Sequence, residues 1–153
     1  MIKSINKLLL IIIFIISFSC SKRSEDILYL EKDHTKFLKI DYSNNQIAIN
    51  ESSSSYPLKT LRLKNGKYYL GKVVDNEIDS LIFLSNEGDY RYLMYDRFSL
   101  IDDSVIIKKQ SHNNFSTLIK SNKKPVLIEY FYDSNYKINK VVYNIGKEHL
   151  IYK

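Results

Sequence analysis

Hydrophobic and polar residues alternate with a period of two through much of this chain. Leu38, Ile40 and Tyr42 stand against Lys39 and Asp41, and after Asn44-Asn45 the alternation resumes with Ile47 and Ile49. A period of two puts successive side chains on opposite faces of a pleated strand, so both stretches read as half-buried β-strands joined by a turn. The clearest local signal is Leu61-Arg-Leu-Lys-Asn65-Gly66-Lys-Tyr-Tyr-Leu70. Asn-Gly suits a type I′ turn, because both residues tolerate positive φ. With those two residues as the loop, Leu63 faces Tyr68 and Leu61 faces Leu70, all on one face. Arg62 and Tyr69 share the other face, where the guanidinium can lie on the ring. Turn chemistry and hydrophobic pattern give the same register, which predicts a hairpin.

Other stretches read in the same way. The second hairpin strand runs on through Val73-Val74 to a turn at Asp75-Asn76. Ser80 to Leu84 is an apolar run suited to a strand covered on both faces, and Asn86-Glu-Gly88 turns the chain into Tyr90 to Tyr95. Phe98 to Ile101 and Val105 to Lys108 are shorter strands around Asp102-Asp103. Val126 to Tyr132 and Lys137 to Ile145 form a hairpin around Asp133-Ser-Asn135, and Glu148 to Tyr152 follows Gly146 as a last strand. Ile27 to Leu30 fits a strand or one helical turn. Ser52 to Ser55, closed by Tyr56-Pro57, is a low-complexity loop and the expected site of disorder within the domain. One segment has helical spacing: Phe115, Leu118 and Ile119 stand at i, i+3 and i+4, with Asn113 or Asn114 as N-cap and Pro125 beyond. It predicts a short helix over 114–121. About nine or ten strands with short connections and no βαβ alternation exclude a parallel sheet. The fold class is mainly β: an antiparallel meander forming a small barrel, a sandwich or a curved sheet.

The first 20 residues break this pattern. Lys3 and Lys7 precede an apolar run from Leu8 that ends in Ser17-Phe-Ser-Cys20. As a helix, Leu8 to Phe18 would cover roughly 17 Å against about 30 Å of hydrocarbon, too short to span with ease. The layout is that of a secretory signal, with a positive tip, a short apolar region and a small residue before the cut. Cys20 is the only cysteine in the chain, so it has no intramolecular disulfide partner. The segment resembles a bacterial lipoprotein signal of the looser kind found in Bacteroidetes, with Ser17 where Leu is common. That resemblance covers residues 1–20 and implies cleavage before Cys20, which would carry the acyl chains. It implies residues 1–19 as a removed signal, 20–26 as a lipidated cysteine and mobile polar tether, and 27–153 as one β-rich domain. It also implies an outer-membrane lipoprotein, facing the periplasm or the surface, with Glu25-Asp26 a diluted version of an acidic export cluster.

Composition narrows the function. Removing residues 1–19 leaves 134 of 153 residues, enough for one domain. It also lowers the net charge from +6 to about +4, because Lys3 and Lys7 are the only charges removed. The remaining excess is scattered as pairs such as Lys22-Arg23, Lys108-Lys109 and Lys123-Lys124, which is not the footprint of a nucleic-acid binder. Lysines near anionic headgroups account for it. His34, His112 and His149 are far apart with no metal-ligand spacing. The acid pairs Asp102-Asp103 and Glu77/Asp79 fall in predicted turns and read as solvated. No nucleophile elbow or phosphate-cradling glycine loop occurs, so neither an enzyme nor a cofactor is expected.

Two features remain as candidate sites. Asp79-Ser80-Leu81 and Asp103-Ser104-Val105 resemble the Asp-Ser-apolar sites of Bacteroidetes periplasmic O-glycosylation. Tyr69, Tyr92, Tyr95, Tyr130 and Tyr132 are candidates for a face that binds an envelope protein or a glycan, since tyrosine offers contact area and a polar tip at low entropic cost. The sequence therefore reads as a lipid-anchored envelope protein acting as a binding or structural module. An inhibitor or immunity lipoprotein and a lipocalin-like carrier of a small apolar ligand are the alternatives.

Overall fold

The computed structural model describes residues 23–54, 58–70, 73–74, 77–78, 81–95, 102–121 and 124–153. Among these the chain forms fourteen strands and no helix. They are β1 (Ser24–Leu30), β2 (Asp33–Ser43), β3 (Gln46–Glu51), β4 (Lys59–Lys64), β5 (Lys67–Leu70), β6 (Val73–Val74), β7 (Glu77–Ile78), β8 (Leu81–Leu84), β9 (Tyr90–Tyr95), β10 (Asp102–Lys109), β11 (Asn114–Ser121), β12 (Val126–Asp133), β13 (Ile138–Ile145) and β14 (Glu148–Tyr152). Twelve of them make one antiparallel sheet in the order β8-β5-β4-β3-β2-β1-β14-β13-β12-β11-β10-β9, and β6 pairs with β7 apart from it. The strand count exceeds the nine or ten read from the sequence. The fold class is the one expected, a curled antiparallel sheet.

The sheet is two meanders joined through β1 and β14. Leu30 lies opposite Tyr152, and the backbones of Tyr29 and Lys153 exchange both hydrogen bonds, at 3.1 and 3.0 Å. The sheet ends are therefore β8 and β9, neighbours in sequence. The sheet curls until β8 rests against β10 and β11. The inward side chains of both arms then form one core, including Leu28, Leu38, Ile40, Ile47, Ile49, Leu61, Phe83, Leu84, Val105, Ile119, Tyr130, Tyr132 and Val141. Phe83 and Leu84 are fully buried within it, and the Phe83 ring meets Tyr130 edge-on at 5.2 Å between centroids. Burying such aromatic and branched side chains from both arms is what drives the sheet to curl.

The free edge of β8 is closed by side chains rather than by a strand. The Tyr132 hydroxyl accepts a hydrogen bond from the Ser85 amide (3.1 Å) and donates to the Ser85 carbonyl (3.0 Å). The Thr117 hydroxyl donates to the Phe83 carbonyl. Buried backbone groups at a sheet edge need such partners.

The Asn65-Gly66 hairpin has the expected register, with Leu63 opposite Tyr68, Leu61 opposite Leu70 and Arg62 opposite Tyr69. Asn65 and Gly66 have φ of 50° and 73°, as a type I′ turn requires. A Cβ at Gly66 would meet nothing within 4 Å. Gly66→Ala should therefore cost about 1 kcal/mol from backbone conformation alone, read as a lower urea midpoint at unchanged slope. An unchanged midpoint would show that the turn is not strained by a side chain.

Three readings change. Residues 114–121 are not a helix but strand β11, paired along its length with β10 and β12. Phe115, Thr117 and Ile119 are buried at a period of two, with small Ser116 buried between them, and Phe115 and Ile119 fit both periods. Strand partners on either side decide it, helped by the β-branched residues Thr117 and Ile119. Second, Ser24, Glu25 and Asp26 are not tether. They pair with Tyr42, Asp41 and Ile40, so the domain begins at Ser24 or before. Glu25 and Asp26 are held by Lys39 (2.7 Å) and Lys137 (3.4 Å). Third, Ser52 continues the β2–β3 ladder by donating its amide to the Phe37 carbonyl at 3.0 Å. Ser55, Tyr56 and Pro57 lie outside the described residues, as does the strand read at Phe98 to Ile101.

Candidate functional site

The five candidate tyrosines do not share a face. Tyr130 and Tyr132 lie in the core, at 1% and 0% exposure. This corrects their assignment to a binding surface. Burial pushes both hydroxyls above the usual tyrosine range. Strand β12 is apolar at nearly every position, and the curl of the sheet sends Ile128, Tyr130 and Tyr132 inward and Phe131 outward. Tyr69 lies opposite Arg62 and Ile82, half-buried on the far arm. Tyr92 and Tyr95 lie opposite Val105 and Asp102, at register positions of opposite parity.

Cys20 and Ser80 lie outside the described residues. Ser104 sits within β10, 5% exposed, with its hydroxyl 3.4 Å from the Lys120 carbonyl. A glycan could not be added there without opening the sheet, which corrects Ser104 as a modification site of the folded domain. Asp102 and Asp103 are strand residues opposite Tyr95 and Met94, not turn acids. Glu77 lies in β7 and Asp79 is outside the described residues.

The histidines stay apart on the sequence of strands. His34 opens β2, His112 lies exposed in the β10–β11 turn, and His149 on β14 has Nδ1 2.5 Å from Asn144 Oδ1. Among the described residues no three His, Cys, Asp or Glu side chains converge as a metal site.

The surface that stands out is the outer face of β1 and β2. Leu28 and Leu30 point into the core, so the period of two turns Ile27 and Tyr29 outward. They are 41% and 44% exposed, high values for large apolar side chains. Tyr29 lies opposite Phe37, and its ring meets Phe37 and His34 edge-on, with centroids 6.1 and 6.3 Å away. Charged pairs surround this aromatic group. Lys153 Nζ is 2.5 Å from Glu31 Oε1, and that hydrogen bond holds the Glu31 carboxyl below its usual range. On the other side Lys39 bridges Glu25 at 2.7 Å and Asp41 at 3.6 Å; its bond to Glu25 raises the ammonium above its usual range. Asn50 donates to Asp41 Oδ2 at 3.0 Å, while buried Asp41 Oδ1 has no hydrogen-bond partner beyond that longer contact with Lys39. Further round, Lys140 Nζ stands 5.0 Å from the centre of the Phe131 ring.

This face can offer flat aromatic area beside cations held in place by neighbouring acids. Sequence reasoning passed over it, although four apolar residues in a row, Ile27 to Leu30, already exceed what one buried face of a strand needs. No family model, curated protein or solved structure matches the chain.

Proposed function

We propose that this chain is a lipid-anchored protein of the cell envelope, held in the outer membrane by Cys20, whose β domain works as a binding or structural module. Its partner would be an envelope protein or a glycan. The observation that carries the module reading is where the apolar side chains go. The interior between the two arms is occupied by the protein's own residues, with Phe83 and Leu84 of β8 lodged against the opposite arm. Aromatic area is left on the outside, at Tyr29 and its neighbours. A carrier of a small apolar ligand would need an apolar lumen between the arms, a role with which a curled antiparallel sheet is compatible. An outward surface, rather than an inner cavity, is the better supported place for recognition.

The anchor and the module are tested separately. Cys20→Ala should move the protein from the membrane fraction and alter its gel mobility; unchanged partitioning and mobility would refute the anchor. Crosslinking the acylated protein in its own membrane, followed by mass spectrometry, should capture one envelope component in stoichiometric amount. A chain that crosslinks to nothing above background would remove the binding role.

A further inference from the structure

We infer that the outer face of β1 and β2 is a membrane-contact surface, resting on the lipid headgroups beside the anchor. The inference deepens the anchored reading and rests on it. Its first support is distance along the chain. Strand order begins at Ser24, already paired with Tyr42. Only three residues separate Ser24 from Cys20, and four residue steps reach at most roughly 14 Å even when fully extended. A domain held so closely to an acylated cysteine cannot stand clear of the bilayer. One of its surfaces must lie near the headgroups.

The second support is what that surface presents. Ile27 and Tyr29 follow Ser24 on the outward side of the same strand, and both are more than two-fifths exposed. Tyrosine and a branched aliphatic side chain suit the boundary between headgroups and acyl chains, where a ring can be half buried with its hydroxyl still wet. Phe37 extends the apolar area from β2, in ring contact with Tyr29.

Charge does not oppose this placement. The lysines around the aromatic group are paired with acids of the same surface: Lys153 with Glu31 at 2.5 Å, Lys36 with Asp33 at 3.9 Å, and Lys39 with Glu25 and Asp41 at 2.7 and 3.6 Å. Paired carboxylates repel a headgroup layer less than free ones would. Arg23, exposed immediately before β1, is a cation next to the anchor and contributes about 1 kcal/mol near anionic lipid.

Because the chain contains no tryptophan, a single introduced one reports its own surroundings. Acylated full-length Ile27→Trp and Tyr29→Trp proteins would be reconstituted into vesicles of phosphatidylethanolamine and phosphatidylglycerol carrying brominated acyl chains. Ile145→Trp is the control. Ile145 is 43% exposed and lies opposite Glu148, four residues along β14 from the Tyr152 that pairs with Leu30, and so beyond the end of β1 opposite Ser24. All three side chains are open enough to change without repacking the core. In the Ile27→Trp and Tyr29→Trp proteins we expect blue-shifted emission and quenching at least about threefold stronger than in the control, as for side chains at the headgroup boundary. Protein that floats with the vesicles yet shows no excess quenching at positions 27 and 29 overturns the inference and leaves the anchor standing. That is also the result if a protein, rather than lipid, covers this face. Protein that fails to float overturns the anchor, and the inference falls with it.

Discussion

Tyr132→Phe should destabilise the domain by about 2–4 kcal/mol, the cost of leaving one buried donor and one buried acceptor without partners. The tyrosine hydroxyl is the link that closes the β8 edge, taking the Ser85 amide proton and giving its own to the Ser85 carbonyl. Ser85 is fully buried, so water cannot replace the lost hydroxyl. The ring itself stays the same size and keeps its stacked contacts with Phe115 and Tyr136. The loss is therefore one of hydrogen bonding and not of packing. Thr117→Val, which strands the Phe83 carbonyl, should cost about 1–3 kcal/mol for the same reason. Tyr130→Phe is the comparison, because its hydroxyl bonds to another side chain, that of Tyr143. It should cost no more than about 1.5 kcal/mol. Urea unfolding followed by circular dichroism would measure all three. If Tyr132→Phe unfolds at the parent midpoint, the hydroxyl does not close the edge.

The second large effect is with pH. Burial holds the hydroxyls of Tyr42, Tyr130, Tyr132 and Tyr143 above the usual tyrosine range. In the unfolded chain these groups ionise near pH 10. Above that pH the unfolded chain binds fewer protons than the folded one, so stability must fall as pH rises. Below it both states keep the proton and the four groups contribute no pH dependence. Each unit by which a folded-state value is raised is worth about 1.4 kcal/mol once the pH has passed it, and the four groups act in the same direction. We expect a cooperative alkaline unfolding starting from about pH 10, with tyrosinate absorbance and loss of β-sheet signal rising together. A gradual absorbance increase with the sheet intact would mean these hydroxyls reach solvent without unfolding.

Legibility of the sequence followed the range of the forces involved. The hairpin around Asn65-Gly66 could be read to the residue because its turn chemistry and its period of two are both local. The turn of the hairpin around Asp133 was legible for the same reason, since the Asp133 carboxylate accepts from the Asn135 and Lys137 amides at 2.8 and 2.9 Å, but the register shift between Phe131 and Tyr132 was not. Strand β11 could not be read, because Phe115, Leu118 and Ile119 satisfy a helical spacing while Phe115, Thr117 and Ile119 satisfy a strand. Only the neighbours β10 and β12 break the tie. The same limit hid the candidate site. In β12, Tyr130 and Phe131 are equally good core residues by pattern, and the direction of curl selects one. In β1 the mirror situation holds, with Leu28 and Leu30 taken inward and Ile27 and Tyr29 left outside. The hydroxyl bonds that close β8 join positions 34 and 47 apart in sequence, a distance at which no local pattern speaks.

The junction of β1 with β14 has a consequence for how the domain is completed. Every other pair of neighbouring strands in the large sheet is close in the chain, so each arm can grow hairpin by hairpin as residues emerge. The pairing of Leu30 with Tyr152 waits for the final strand. Closing that long loop is the slow entropic step of such a topology. For a chain threaded across a membrane N-terminus first, β1 would spend the whole of its export with β2 as its one strand neighbour. Strand β1, which would lie beside the proposed anchor, is thus the last to be secured on both sides, and its outer residues stand exposed before the fold is finished.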